Sequence, residues 1–324
     1  MASLTEFGNK LYTGEKSFPF VAKRKIWLSI AAVMIVIALV GPWVRGGYVF
    51  GIEFTGGSEF TVSNVANTDQ QLAIDAVSDI TPGSNPRVST VGGGAIRVQT
   101  DVVDDEITDE IIASLATTYE VEPGDVTSSF IGPSWGADIT GQAIRALLVF
   151  VAIAALFMAL YFRTWKMSFA ALIALVHDLI VTAGVYGLFG FEVTPAAVIG
   201  FLTILGYSLY DTVVVFDKIR ENTAPGEPGT FLDNVNLATN QTLVRSINTS
   251  VVALLPVASI LVIGAWVLGA GTLRDIALAL FIGILVGTYS TIFIAAPIYA
   301  ELRKKDRILA VDEKKRKQER GAVV

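Results

Sequence analysis

The sequence predicts a polytopic α-helical membrane protein with six transmembrane helices and one small extracytoplasmic α+β domain. Three observations lead there. Hydrophobic residues make up 52% of the 324-residue chain and charged residues 17%, with a mean hydropathy of +0.58, whereas an average soluble domain is roughly 25% charged. Six apolar runs each approach the roughly 20 residues that a helix needs to cross a hydrocarbon core about 30 Å thick. Between the first and second runs lies a polar stretch long enough to fold by itself. The absence of cysteine excludes a disulfide framework, a thiolate metal site and a cysteine nucleophile, and a single histidine leaves little for zinc or a His-centred triad. A net charge of −6 gives no nucleic-acid signature.

The first run, residues 26–44, follows Lys23-Arg24-Lys25 and carries Trp27 and Trp43 near its ends, where amphipathic rings suit the headgroup level. It is too long for a signal peptide and no small-residue cleavage pattern follows, so it reads as an uncleaved span. The other spans are predicted at residues 143–162, 169–189, 193–216, 248–268 and 276–299. With the N-terminus in the cytoplasm, 19 of the 24 lysines and arginines fall on the inner side: 5 before the first span, 2 in 163–168, 3 in 217–247 and 9 after 299. The remaining five are Arg45, Arg87, Arg97, Arg145 and Arg274. The positive-inside rule therefore places both termini, 1–25 and the basic tail 301–324, in the cytoplasm and the loop 45–141 outside.

That loop holds 15 carboxylates against 3 arginines. Apolar alternation predicts strands near 59–63, 87–91, 95–100 and 125–131, with helical stretches near 69–79 and 104–118. Gly92-Gly93-Gly94 sits between the middle strands as a hairpin turn would, and the order β-α-β-β-α-β is that of the ferredoxin-like motif.

Polar residues inside the spans need a reason to be there, because a charge at mid-membrane costs about 2.5–3.5 kcal/mol on insertion scales. Asp178 follows His177 about nine residues into the third span, near mid-membrane. Successive helical side chains point about 100° apart, so the two cannot both face one partner; hydrogen bonds to neighbouring helices are the plain reading. Asp211 shares a helical face with Ser208 and Thr212, and Arg245 lies at a similar depth at the start of the fifth span. An Asp211–Arg245 pair follows, either as a fixed ion pair or as a carboxylate that alternates between arginine and a proton as helices rearrange. Charge alone does not choose between them. Gly184, Gly187, Gly200, Gly206, Gly283 and Gly287 predict close helix packing. In 230–243, Phe231, Val235, Ala238 and Thr242 recur at helical spacing beside Asn234, Asn236, Asn240 and Gln241, which reads as an interfacial helix or a plain loop.

Gly51-Ile52-Glu53-Phe54-Thr55-Gly56-Gly57, just after the first span, resembles the signature opening the periplasmic region of the SecF side of the SecD/SecF family of protein-export membrane subunits. Val176-His177-Asp178, Gly206-Tyr207-Ser208, the block from Asp211 through Asp217 and Arg220 to Asn222, and Arg245-Ser246-Ile247-Asn248-Thr249-Ser250 resemble later blocks of that family, in order. The resemblance implies a six-span half of a resistance-nodulation-division type assembly in the bacterial inner membrane. Its partners would be SecD, the SecYEG channel, YajC, YidC and unfolded preprotein on the outer side. It implies a non-enzymatic subunit without cofactor, driven by inward proton flow rather than ATP, and the sequence agrees in lacking a Gly-x-x-x-x-Gly-Lys-Ser/Thr phosphate loop. By resemblance, Asp211 carries the proton, Arg245 is its charge partner, and His177 and Asp178 are secondary polar positions.

The chain departs from the family at Glu53, where aspartate is frequent, and at Tyr210, where asparagine commonly precedes the key aspartate. Glu53 keeps a carboxylate, and Gly51, Gly56 and Gly57 also suit a simple helix-to-domain turn. Tyr210 loses an amide near the proposed proton path. Two other readings stay open: an exporter half for lipids or small molecules with the same proton machinery, and a non-catalytic assembly subunit whose charges hold helices together. Lys314-Lys315-Arg316-Lys317 reads as a solvated topology anchor or as a contact for anionic lipid or ribosome surfaces.

Overall fold

The computed structural model describes residues 4–162, 164–225, 227–264 and 271–304. A short helix α1 (Leu4–Thr13) precedes six helices long and apolar enough to cross a membrane: α2 (Arg24–Arg45), α6 (Pro133–Phe162), α7 (Trp165–Phe189), α8 (Pro195–Asn222), α9 (Phe231–Val262) and a last span from Gly271 to Arg303. That last span is three pieces, α10 (Gly271–Ser290), a π-helical turn (Thr291–Ala295) and α11 (Ala296–Arg303). Between α2 and α6 come β1 (Val49–Phe50), the one-turn α3 (Ile52–Thr55), β2 (Gly57–Val62), α4 (Gln70–Ile80), β3 (Arg87–Val91), β4 (Ala95–Thr100), α5 (Asp105–Thr118) and β5 (Val126–Ile131), while β6 (Glu192–Val193) links α7 to α8.

The ends of the spans follow from local chemistry. Gly190 closes α7 in the left-handed region at φ 69°, where the absence of a Cβ removes the penalty. Thr194 caps α8 by accepting from the Ala197 amide at 3.2 Å, and Pro195 fills the first turn, where its missing N–H costs nothing.

Inside the bundle, α7, α8 and α10 are buried on several faces, whereas α2 and α6 turn Val36, Leu39, Val40, Leu148, Ile153 and Leu160 outward. Exposed apolar faces of this kind match a hydrocarbon solvent. The glycines explain how closely the helices approach. A Cβ on Gly283 would lie 2.4 Å from Ile204, one on Gly200 2.5 Å from Ala279, and one on Gly187 2.5 Å from Pro42. Gly206 differs from the packing expectation: a Cβ added there would meet nothing within 4 Å, so it is not a helix contact in this chain.

The α+β domain runs β2-α4-β3-β4-α5-β5, with each element within two residues of its predicted place. Its sheet has the order β3-β4-β2-β5, with every neighbour antiparallel. Phe60, Val62, Ile96 and Val98 bury one sheet face against Ala73, Val77, Ile111 and Leu115 of the two helices. Asp69 and Asp104 cap those helices, accepting from Gln71 and Ile107 amides at 3.0 Å each. The opposite face carries Glu59, Arg97 and Gln99 and faces β6 of the membrane bundle. Parallel pairing of β1 with β6 (Val49↔Glu192, Phe50↔Val193) ties the chain after the first span to the α7–α8 connection. Gly57 must be glycine: its φ is 147° and a Cβ would lie 2.6 Å from the Thr100 carbonyl oxygen.

Three expectations are revised. Residues 230–243 are neither loop nor a separate interfacial helix but the first half of the 32-residue α9. Their polar groups are covered by protein: Asn240 accepts from the Phe18 amide at 2.7 Å and donates to the Phe18 carbonyl at 3.0 Å, and Asn236 accepts from the Val21 amide at 3.1 Å. An asparagine side chain thus supplies the chain after α1 with the pairing that a strand would give. The second helix starts at Pro133 rather than 143, because its first turns pack on α3: a Cβ on Gly136 would lie 2.6 Å from the Phe54 carbonyl oxygen. The sixth span is interrupted by the π turn instead of running uniformly. The end of the fifth predicted span, 265–268, and the Lys314–Lys317 cluster lie outside the described residues.

Candidate functional site

Polar side chains from α7, α8, α9 and α10 meet in the middle of the bundle. Asp178 of α7 is 1% exposed and accepts a 2.5 Å hydrogen bond at Oδ2 from Ser208 of α8. Its other oxygen lies 3.3 Å from Nδ1 of His177, whose ring turns toward Tyr289 with centroids 6.2 Å apart and whose Nε2 is buried without a hydrogen bond. The two neighbours therefore divide as helical geometry requires, one toward α8 and the other toward the last span. Gly287 leaves room for this junction: a Cβ there would lie 3.2 Å from Ser208 Cβ and 3.6 Å from Asp178 Oδ2.

One turn further along α8, Asp211 is 6% exposed. Its Oδ1 accepts from the Ser246 hydroxyl of α9 at 2.9 Å, and its Oδ2 is buried with no hydrogen bond. Thr212 and Thr291 share a hydrogen bond at 3.1 Å, which places the π turn directly beside this carboxylate. Ser250 and Thr288 share another at 2.5 Å, and Ser250 also donates to the Ser246 carbonyl at 2.9 Å. Hydroxyls of α8, α9 and the last span therefore surround two buried carboxylates. A buried acid with one oxygen held and the other unpaired is expensive to leave as an isolated charge.

Arg245 stands differently from its expected place. Its side chain is exposed, its neighbour Ser246 makes the bond to Asp211, and among the described residues no ion pair joins Arg245 to Asp211. Arg245 still lies within electrostatic reach of the carboxylate. Of the other motif residues, Asp217 accepts from the Tyr161 hydroxyl of α6 at 2.6 Å and lies 4.0 Å from Arg220, which ties helices at the bundle end. Thr249 donates to the Arg245 carbonyl at 2.8 Å, while Asn248 and Gly206 are exposed. Gly51, Glu53, Phe54, Thr55, Gly56 and Gly57 lie away from these contacts, at the junction with the α+β domain; Phe54 packs against the cluster that contains Tyr186 and Phe201, and Thr55 donates to the Gly51 carbonyl at 3.3 Å. No group of three or more His, Asp or Glu that could hold a metal occurs among the described residues.

Sequence reading missed Thr288 and Thr291, because a threonine in an apolar helix can satisfy its hydroxyl on the preceding turn and carries no other mark. Tyr210 is 57% exposed and points away from Asp211.

A family model described as "Protein export membrane protein SecD/SecF, C-terminal" matches residues 111–305. A Protein translocase subunit SecF from Streptomyces coelicolor is 43% identical over 94% of this chain and 82% of its own length, and one from Mycobacterium tuberculosis 40% identical over 94% and 71%. The crystal structure of SecDF from Thermus thermophilus, a translocon-associated membrane protein, superposes with a TM-score of 0.79 at 30% identity, covering 90% of this chain. This chain spans 39% of that one. On motif order, helix number and overall similarity, the chain belongs to the SecD/SecF family of protein-export membrane proteins.

Proposed function

We propose that this chain is the SecF-like half of a SecD–SecF assembly that couples inward proton flow to late steps of preprotein export. The observation that carries the reading is Asp211: buried between α8 and α9, held by Ser246 at one oxygen and unpaired at the other. In this reading Asp211 binds and releases the proton, Ser246 orients it, and the exposed Arg245 becomes its charge partner when the helices shift. Asp178, held by Ser208, is a second buried carboxylate in the same bundle.

The positive-inside distribution supports cytoplasmic termini and an extracytoplasmic α+β domain. The β3-β4-β2-β5 order with two helices on one face supports a ferredoxin-like fold for that domain. Pairing with SecD is supported by the single SecDF chain of Thermus thermophilus, of which this chain matches 39%, and by the open apolar faces of α2 and α6. SecYEG, YajC and YidC are the expected neighbours in the export machinery.

The test is preprotein translocation in inverted vesicles containing this chain and SecD, with an imposed proton gradient, with the gradient collapsed by a protonophore, and with sodium replaced by choline. Faster completion with the gradient, lost on collapse and indifferent to sodium, is expected. Equal rates with and without the gradient would overturn proton coupling.

A further inference from the structure

The polar face of the sheet is fastened to the bundle by a few charged contacts. Arg97 of β4 pairs with Glu192 of β6 at 2.5 Å, and Gln99 donates to Glu192 at 2.7 Å and to Glu59 of β2 at 2.9 Å. Glu53, on α3, completes the group. A Cβ on Gly51 would lie 2.3 Å from Oε2 of Glu53 and 3.2 Å from Oε1 of Glu192, so the bare backbone of Gly51 is what allows the two carboxylates to lie side by side. Oε2 of Glu53 is buried without a hydrogen bond.

The charges do not balance at this seam. Three carboxylates gather on Arg97, which already holds Glu192 and lies 4.0 Å from Glu59; Arg87 of β3, on the same sheet face, is exposed and donates to the Phe50 carbonyl at 3.0 Å. Asp275 of α10 lines the same 430 Å³ cavity as Glu53 and Glu59, but it is occupied by Arg274 at 3.0 Å and Thr194 at 2.9 Å. The helix packed on α3, α6, turns Asp138 and Arg145 to its exposed side, and β1 and β5 contain no charged residue. Burial pushes the Glu53 carboxyl above the usual carboxylate range, with Glu192 and Glu59 acting in the same direction against a backbone hydrogen bond and Arg97.

We propose that Glu53 holds a proton beside Glu192 at the seam between the α+β domain and the membrane helices, and that loss of this proton loosens the domain from the bundle. Protonated, Glu53 is neutral and can donate to its neighbour. Ionised, it sets a second negative charge beside Glu192, with Arg97 already paired and Arg87 turned to the Phe50 carbonyl. The sign follows from linkage: a carboxyl raised in the docked state stabilises docking at low pH, and that contribution is lost as pH rises through the raised value. With the domain outside, the acidic side of an energised membrane keeps it seated. The geometry is independent of the export reading; only the purpose of the motion rests on it.

The natural chain has no cysteine, so spin labels can be placed on Asp79→Cys of α4 and Phe189→Cys of α7, both exposed positions, in the full chain bound to a cysteine-free SecD in nanodiscs without a gradient. A narrow distance distribution near pH 5 that broadens near pH 8, bracketing a raised carboxyl, is expected. Glu53→Gln should stay narrow at both, because its amide donates as the protonated acid does. A wild-type distribution that does not change with pH, or a Glu53→Gln protein that broadens like wild type, overturns the proposal. Asp211→Asn should keep the wild-type response; if that response disappears, the titrating group is in the membrane and not at the seam. Failure of gradient-driven export would sink the proton-coupled reading without altering these distances.

Discussion

Asp211→Asn is expected to reduce export in energised inverted vesicles to the rate measured without a gradient, while SecD still co-purifies. The substitution is chosen because it changes chemistry and almost nothing else. An asparagine carbonyl accepts the Ser246 hydroxyl as the carboxylate oxygen does at 2.9 Å, so the α8–α9 contact survives. What is lost is the capacity to bind and release a proton, since the amide does not titrate in the physiological range. Ser246→Ala should act more mildly, slowing gradient-driven export without abolishing it, because it frees the carboxylate without removing it. Unchanged export in Asp211→Asn would make this residue a structural one and return the chain to the reading of an assembly subunit.

Gly184→Val is expected to give the largest loss of stability. Any Cβ at position 184 would lie 2.2 Å from Ala38 Cβ, 2.4 Å from Ala38 Cα and 2.8 Å from its carbonyl oxygen. Two of those three atoms are backbone, so no rotamer change relieves the overlap and α2 must move away from α7. Overpacking of this kind costs about 1–3 kcal/mol, and more where backbone must shift. Thermal unfolding in detergent, followed by the loss of helical signal, should show a clear fall in midpoint. Gly206→Ala is the control: its surroundings are open, and alanine favours a helix over glycine by about 1 kcal/mol, so the midpoint should hold or rise. A fall of equal size in both variants would show that glycine content, not the α2–α7 contact, sets stability.

The parts of this fold that were legible in sequence are those governed by short-range pattern. Run length gave the helices, and alternation gave the four strands of the domain with Asp69 and Asp104 at the helix starts. What could not be read depends on contacts far apart in the chain. The polar half of α9 looked unsuited to a continuous span because Asn236 and Asn240 have their partners at residues 17–21, more than two hundred positions away. In the candidate site, Asp211 and Asp178 stood out because a charge in an apolar run is costly wherever it falls. Ser246 did not, because it is adjacent to an arginine and the phase of α9, which turns Ser246 inward and Arg245 outward, is fixed by packing. Gly51 was legible as a turn residue, but its role in accommodating Glu53 beside Glu192 needed the α7–α8 connection in place.

The π turn at Thr291–Ala295 stores one residue more than an α-helical turn would hold in the same height. Such an extra residue can travel along a helix like a wrinkle in a carpet, with hydrogen bonds exchanged one at a time and never all broken together. Each step of the wrinkle past a residue turns it by about 100° and advances it by about 1.5 Å. Thr288 and Thr291 lie on and beside this segment, facing Ser250 and Thr212. The extra residue thus sets the side chains before and after Thr291–Ala295 at phases that an uninterrupted helix would not give them, and Thr291 meets Thr212 beside Asp211 at that offset.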